Sequence, residues 1–388
     1  MGVDAQQRAA GRITDLADRG LDLGSFWQAC AEVVAVEVPH LASPCWYTLD
    51  PASLLITSHV QAELPELPAE WLEQEYLDDD VHKLADVARS AAGISTLHEV
   101  TGGDPRVSRR WHENMRYGGD QELIAALRLP SGAVWGAVGL YREPGAPRFT
   151  DGELAFVRRV SADLARGARR ALLYGHAVDP DEPADPLVPG LVVIDRHGQV
   201  LSMTPGTERW LAELPRAGED PSRPPVTVRT VAARSLAPEG RTVDGDTASV
   251  RVRAASGGWL TVDGACLEGT DRRCAAVIIA PAHPARVASL LVATYDLTER
   301  EQEVARHVLR GAPTTEIART LGITAYTVQE HLKRIFTKTG VRTRRDLVAT
   351  VFFGHYEPRV RDNEQRTVQS RPQLGYPRSR VPRHGPRS

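Results

Sequence analysis

Between Thr324 and Gly340 the stretch TAYTVQEHLKRIFTKTG brings an amide (Gln329), a carboxylate (Glu330), an imidazole (His331), an ammonium (Lys333) and a guanidinium (Arg334) close together. Thr324, Tyr326 and Thr327 precede them and Lys338 follows. Such a set donates and accepts hydrogen bonds and carries charge, but it contains no activated nucleophile. Val328, Leu332, Ile335 and Phe336 recur at the spacing that puts them on one side of a helix. The polar side is then either plain solvated surface or a face cut to read a partner.

Other clusters have chemical residue types with less order. YLDDDVHKL holds Asp78, Asp79, Asp80 and His82, the types of a metal site, yet three consecutive acids point in different directions and read better as a solvated loop. TGGDPRVS, residues 101–108, has backbone amides that an anion can use, and turn geometry explains it equally well. Trp27, Trp46, Trp71, Trp111 and Trp135 are either the lining of an aromatic pocket or aromatic core, and core is the plainer reading. Cys30, Cys45, Cys266 and Cys274 are far apart with no Cys-x-x-Cys, so neither a zinc site nor a disulfide framework is indicated. No Walker loop, Gly-x-Ser-x-Gly elbow or His-Glu-x-x-His is present, and no nucleophile and base are assembled, which argues against an enzyme and leaves no cofactor evident.

These residues need elements to position them. At 388 residues the chain suggests two or three domains, and 42% hydrophobic residues are enough for real cores. No apolar run reaches the ~20 residues of a membrane helix. MGVDAQQRAAGRITDL lacks a signal-peptide core, and a reduced, cytoplasmic protein is expected. Charge is uneven. Tyr295 to Pro358 has ten Lys/Arg against eight Asp/Glu, and Arg359 to Ser388 has eight Arg against two acids. That part is near +8, which leaves −11 on the first 294 residues of a chain whose net charge is −3. A basic end on an acidic body suggests an anionic partner for that end.

Along the chain, residues 1–175 mix helical and alternating strand-like stretches. LRLPSGAVWGAVGLY reads as a hairpin about Pro130-Ser131-Gly132. A closing helix opens with the capping box TDGE, Thr150 to Glu153, and carries the stripe Leu154, Val157, Val160, Leu164 and Ala168, either core or a dimer seam. AVDPDEPADPLVPG marks a linker at 176–188. Residues 189–284 read as a small α+β domain: a strand, a turn at Arg196-His197-Gly198, a strand, a short helix with Trp210 and Leu211, the loop RAGEDPSRPP, then three strands. Residues 285–356 hold a short connecting helix and four punctuated helices, and the Pro-, Arg- and Ser-rich 357–388 are expected to be a basic disordered tail.

The punctuation of the helical unit is dense. Thr298 and Glu301 form a capping box, Gly311 ends the first helix, PTTEIARTL is the second and Gly322 stops it. Thr324 then caps the third, Gly340 ends that, and RTRRDLVATVFFG is the fourth. Two helices joined by a tight Gly-containing turn describe a helix-turn-helix. The string LTEREQEV…EIARTLGITAYTVQEHLKRIFTKTGV…RRDLV resembles the DNA-binding domain of LuxR/NarL-type transcriptional regulators over about 57 residues.

The resemblance implies that the third helix lies in a DNA major groove and that the fourth contributes to a dimer. Carried onto this chain, Gln329, Glu330 and Lys333 face base edges, and their chemistry suits adenine, cytosine N4 and guanine respectively. Thr324, Thr327, Arg334 and Lys338 suit phosphates. His331 is either a structural hydrogen-bonder or a base reader. Two positions depart from the family: Thr315 and Gln329 stand where Lys is common, which removes salt-dependent affinity that Arg342, Arg344, Arg345 and the tail can supply. Residues 1–175 are similar to a GAF-type sensory domain and 189–284 to a PAS-like one, with room for a small-molecule ligand in the first. The fold class expected is therefore α+β sensory domains followed by an all-α four-helix helix-turn-helix domain. The function implied is a homodimeric, sequence-specific regulator of double-stranded DNA. The rival reading is a sensory adaptor that binds a protein partner and keeps only residual DNA contact.

Overall fold

The computed structural model describes residues 3–63, 67–174, 189–216, 218–238, 248–268, 273–282, 297–309, 311–339 and 341–347. The expected linker 176–188, the connecting helix at 283–296, Gly340, most of the fourth C-terminal helix and the basic tail lie outside them.

Residues up to 174 fold, in chain order, as α1 (Val3–Asp18), α2 (Leu23–Glu37), β1 (Leu41–Leu49), β2 (Ile56–Val60), α3 (Ala69–Tyr76), α4 (Leu84–Arg89), β3 (Ile94–Thr96), α5 (Leu97–Val100), α6 (Arg109–Arg116), β4 (Gln121–Arg128), β5 (Val134–Arg142) and α7 (Asp151–Tyr174). The strands form one antiparallel sheet in the order β2-β1-β5-β4-β3. Both faces are covered, and β1 shows how: Trp46 enters a core with α1, α2 and α7, while Cys45, Tyr47 and Leu49 enter a second core with α3 and α4. The expected hairpin is present, with Arg128 opposite Val134 and Gly132 at φ 87°. Gly136 is required by close approach, since a Cβ there would stand 2.4 Å from the Tyr47 carbonyl oxygen.

The capping box of α7 forms as expected: Thr150 N donates to Glu153 Oε2 at 2.7 Å and Glu153 N to Thr150 Oγ1 at 3.3 Å. Its stripe is core. Val157, Val160, Leu164 and Ala168 are buried against α1, α2 and the sheet, with Phe156 and Ala165 added and Leu154 partly covered. Of the five tryptophans singled out above, Trp27, Trp46, Trp71 and Trp135 are buried, and Trp27 stacks on Trp46 at 4.4 Å; Trp111 is half-buried and donates to Asp120. The 101–108 stretch is turn geometry, with Gly102 and Gly103 at positive φ and Asp104 accepting from the Arg106 amide.

The next region holds β6 (Gly190–Ile194), β7 (Val200–Met203), α8 (Thr207–Glu213), α9 (Val226–Ser235), β8 (Ser249–Arg253), β9 (Trp259–Glu268) and β10 (Arg273–Pro281). Its sheet is also antiparallel, in the order β7-β6-β10-β9-β8. Helix α9 is an addition to the sequence reading. Its eight residues Val226 to Ala233 are all buried, because it lies between β9 and β10 of its own sheet and β2 and α3 of the first. Thr227 Oγ1 donates to the Thr57 carbonyl at 2.7 Å and Arg229 Nη1 to that of Leu67 at 2.8 Å. Beside them Arg251 of β8 grips Asp50 with its amide, Nε and Nη2 at 2.8–2.9 Å. The two sheets thus share one continuous core. Among the described residues, no helix is long and apolar enough to cross a membrane.

Candidate nucleic-acid interface

Three helices follow: α10 (Glu299–Leu309), α11 (Thr314–Leu321) and α12 (Ala325–Thr339), with residues 344–347 helical after them. Their ends are set by the residues that the sequence singled out. Thr298 N donates to Glu301 Oε2 at 2.9 Å and Glu301 N to Thr298 Oγ1 at 3.3 Å, the reciprocal box. Gly322 ends α11 at φ 64°, the left-handed C-cap that glycine supplies without a Cβ penalty. Two residues later Thr324 Oγ1 accepts the Thr327 amide at 3.1 Å and starts α12. The turn is therefore short and rigid. Ile317 and Ala318 of α11 pack with Val304, Ala305 and Val308 of α10, with Val328, Leu332 and Ile335 of α12, and with Leu347.

That packing consumes one side of α12 and leaves the other to solvent. At 100° per residue, Tyr326, Glu330, Lys333 and Thr337 fall within about 60° of one another at the centre of the outer face. Gln329, Lys333 and Arg334 are exposed there, with Glu330 half-exposed. Thr327 is half-buried and hydrogen-bonded to Thr324, so both threonines are first of all helix starters. Glu330 and Lys333 pair with each other at 2.7 Å; that hydrogen bond lowers the carboxyl's pKa and raises the ammonium's. Lys338 is committed elsewhere, to Glu301 at 2.6 Å. Burial pushes the Glu301 carboxyl up, but the Lys338 hydrogen bond and the Thr298 amide outweigh it and hold the group below its ordinary value. His331 is half-buried at the flank of the helix, with Nδ1 buried and unpartnered. Arg342 is exposed beyond the end of α12.

The sequence reading passed over Tyr326 as a site residue. It is 74% exposed, the most exposed of the large apolar side chains among the described residues. The signal was its place four residues before Glu330 and seven before Lys333, on the same face.

The other charged cluster lies in the first sheet's second core. Arg110, fully buried, donates to Glu75 at 2.9 Å and to Glu122 at 2.8 Å, and stacks 4.6 Å over Trp71. His82 sits at φ 65° with Nδ1 3.1 Å from Glu122 and Nε2 3.1 Å from the Ser95 carbonyl. Asp80 accepts from Ser108 and from the Arg110 amide, and Asp78 pairs with Arg109. Asp78, Asp80 and His82 of YLDDDVHKL therefore each have a different partner within the chain.

Residues 296–351 match the family model GerE, bacterial regulatory proteins of the luxR family. This segment is a LuxR-family helix-turn-helix domain. The match begins just before the capping box of α10 and runs beyond α12, so the helices whose packing exposes the Gln329–Lys333 face are those of the LuxR domain. No curated protein matches the chain. Solved structures similar to it include the Vibrio cholerae VqmA dimer, a LuxR-type receptor in the absence of target DNA, at 18% identity over 44% of this chain and 83% of that one with TM-score 0.18. A phage VqmA–DPO complex follows at 17% identity, 48% and 88% coverage and TM-score 0.17. The E. coli DhaR(N)–DhaL complex is matched at 14% identity, 73% and 91% coverage and TM-score 0.19. At such scores these likenesses carry no argument about this chain.

Proposed function

We propose that the chain is a cytoplasmic transcriptional regulator whose LuxR domain reads double-stranded DNA through α12, under control of the α+β region before it. The observation that carries this reading is the LuxR family match over 296–351 together with an α12 face that holds Gln329, Glu330, Lys333 and Arg334 clear of the core. Gln329 and Lys333 suit purines and Glu330 accepts from cytosine N4 once its bond to Lys333 opens. Thr327, Arg334, Arg342 and the exposed hydroxyl of Tyr326 suit phosphates. Two copies would bind half-sites about one helical turn apart. The two sheets act as GAF-like and PAS-like sensory units, with a small molecule bound in the first.

The test is capture from a random duplex library by the full-length chain at about physiological salt, beside a Gln329→Ala, Lys333→Ala variant. Enrichment of a two-fold motif that the variant loses is the expected result. Capture without a motif assigns the binding to the arginine-rich tail. No capture by either protein favours the adaptor reading.

A further inference from the structure

Beneath the first sheet, between β1, β5, α3 and α6, lies a cavity of about 210 Å³. It is larger than the ~150 Å³ apolar void that suffices for benzene. Its walls are largely carbon, from Leu41, Leu67 and the rings of Tyr47, Trp71 and Tyr141. Two amides on that lining each leave one buried atom without a protein partner. Asn114 is only 6% exposed, and its Nδ2 is buried without an acceptor. Gln61 donates through Nε2 to the Ser43 carbonyl at 3.1 Å, which fixes the amide and leaves the buried Oε1 without a donor. A buried polar group left unsatisfied loses its hydration without compensation, and native chains satisfy nearly all of theirs.

The backbone at the mouth is unusual in a second, independent way. β1 breaks register against β5 between Leu41 and Cys45, and Ala42 there sits at φ 58°, a left-handed conformation that alanine avoids. Strain of this kind persists where surrounding structure enforces it and clusters at ligand sites.

Charge narrows the guest. Two carboxylates, Glu63 and Glu113, are on the lining and no lysine or arginine is. Glu113 is offset by Arg116 at 2.9 Å, whereas Glu63 is held by the Ser43 amide and hydroxyl. Arg110 lies behind Trp71, but Glu75 and Glu122 neutralise it. The Cys45 thiol is pushed up to about 12 by burial and contributes no charge. Among the described residues, an anion would therefore meet carboxylates and no free cation.

We propose that this cavity binds a flat aromatic ligand of one or two rings, uncharged or cationic, that offers an N–H to Gln61 and completes the Asn114 amide. The proposal rests on the reading of the α+β region as the sensory part, and it names the site and the ligand class. Occupancy has a route outward: Leu67 lines the cavity, and its carbonyl accepts from Arg229 of α9, the helix shared by both sheets.

The experiment is calorimetric titration of the full-length chain with three indoles that differ only in their side chain: cationic tryptamine, neutral indole-3-acetamide and anionic indole-3-acetate. Tryptamine and the acetamide are expected to bind, and the acetate at least about tenfold more weakly. Asn114→Leu should weaken the acetamide, whose carbonyl accepts from Nδ2, about tenfold. Glu63→Gln, outside the core, should narrow the gap between tryptamine and the acetate and serves if the Asn114 variant does not fold. Absence of binding by all three, or acetate binding as tightly as tryptamine, overturns the proposal. Duplex capture by the same preparation without any indole keeps the two readings apart. Duplex bound with no indole bound removes the cavity assignment alone; indole bound with no duplex bound supports the cavity and removes the regulator.

Discussion

Glu301 shows how a single side chain can set how much of a helix is available to a partner. Its carboxylate closes the cap of α10 and takes the Lys338 ammonium at 2.6 Å, so one of the cations expected at phosphates is held by the protein itself. Glu301→Ala should cost about 1 kcal/mol of stability, read by thermal melting, because the Thr298 amide loses its acceptor. In the first sheet the decisive side chain is Glu122. Burial pushes its carboxyl up, but the charge of Arg110 and the hydrogen bond from His82 outweigh that and hold it at about 2 against an ordinary 4.5. The folded state thus binds fewer protons than the unfolded one near pH 4. The stabilisation is in full force above about pH 4.5 and is lost as pH falls through about 2. Glu75, on the same guanidinium, is shifted up by burial and gives the opposite slope. The two separate by mutation: Glu122→Gln should reduce the fall in melting temperature expected between pH 4.5 and 2, measured beside the unmodified chain.

At the scale of elements, α9 is the part that local reading passes over. VTVRTVAARS is rich in β-branched residues, which disfavour helix in isolation. It is helical because it is buried on all sides between two sheets, where the backbone must satisfy its own hydrogen bonds. The fit is close: a Cβ at Gly264 of β9 would stand 2.6 Å from Val231 Cγ1 and 2.2 Å from Ser235 Oγ. Gly264→Ala should destabilise by about 1–3 kcal/mol through overpacking and raise hydrogen exchange in α9 and β9 before it does in α12. The helix-turn-helix elements behave in the opposite way. Their caps are short-range bonds between Thr298 and Glu301 and between Thr324 and Thr327, so they are legible as letters three apart.

For the whole molecule, the charged contact between the two sheets' regions is one of several ties: Asp50 with Arg251, three bonds of 2.8–2.9 Å with the carboxylate 1% exposed. Removing one partner strands a buried charge, so Asp50→Ala should cost about 3 kcal/mol and split thermal unfolding into separate transitions for the two sheets in calorimetry. What the sequence determined by itself was the local and the periodic: two strand-rich regions, the capped helix α7 with its apolar stripe, and the helices of the LuxR domain with a polar face on α12. Each follows from spacings of two, three or four residues along the chain. Only the tertiary structure decided the rest. It placed α9 between the sheets, joined the two regions into one core, spent Lys338 on Glu301, and gathered Gln61 and Asn114 onto one cavity. Those groups are tens to hundreds of residues apart, and the burial that joins them depends on how whole faces pack, which no short window of sequence encodes.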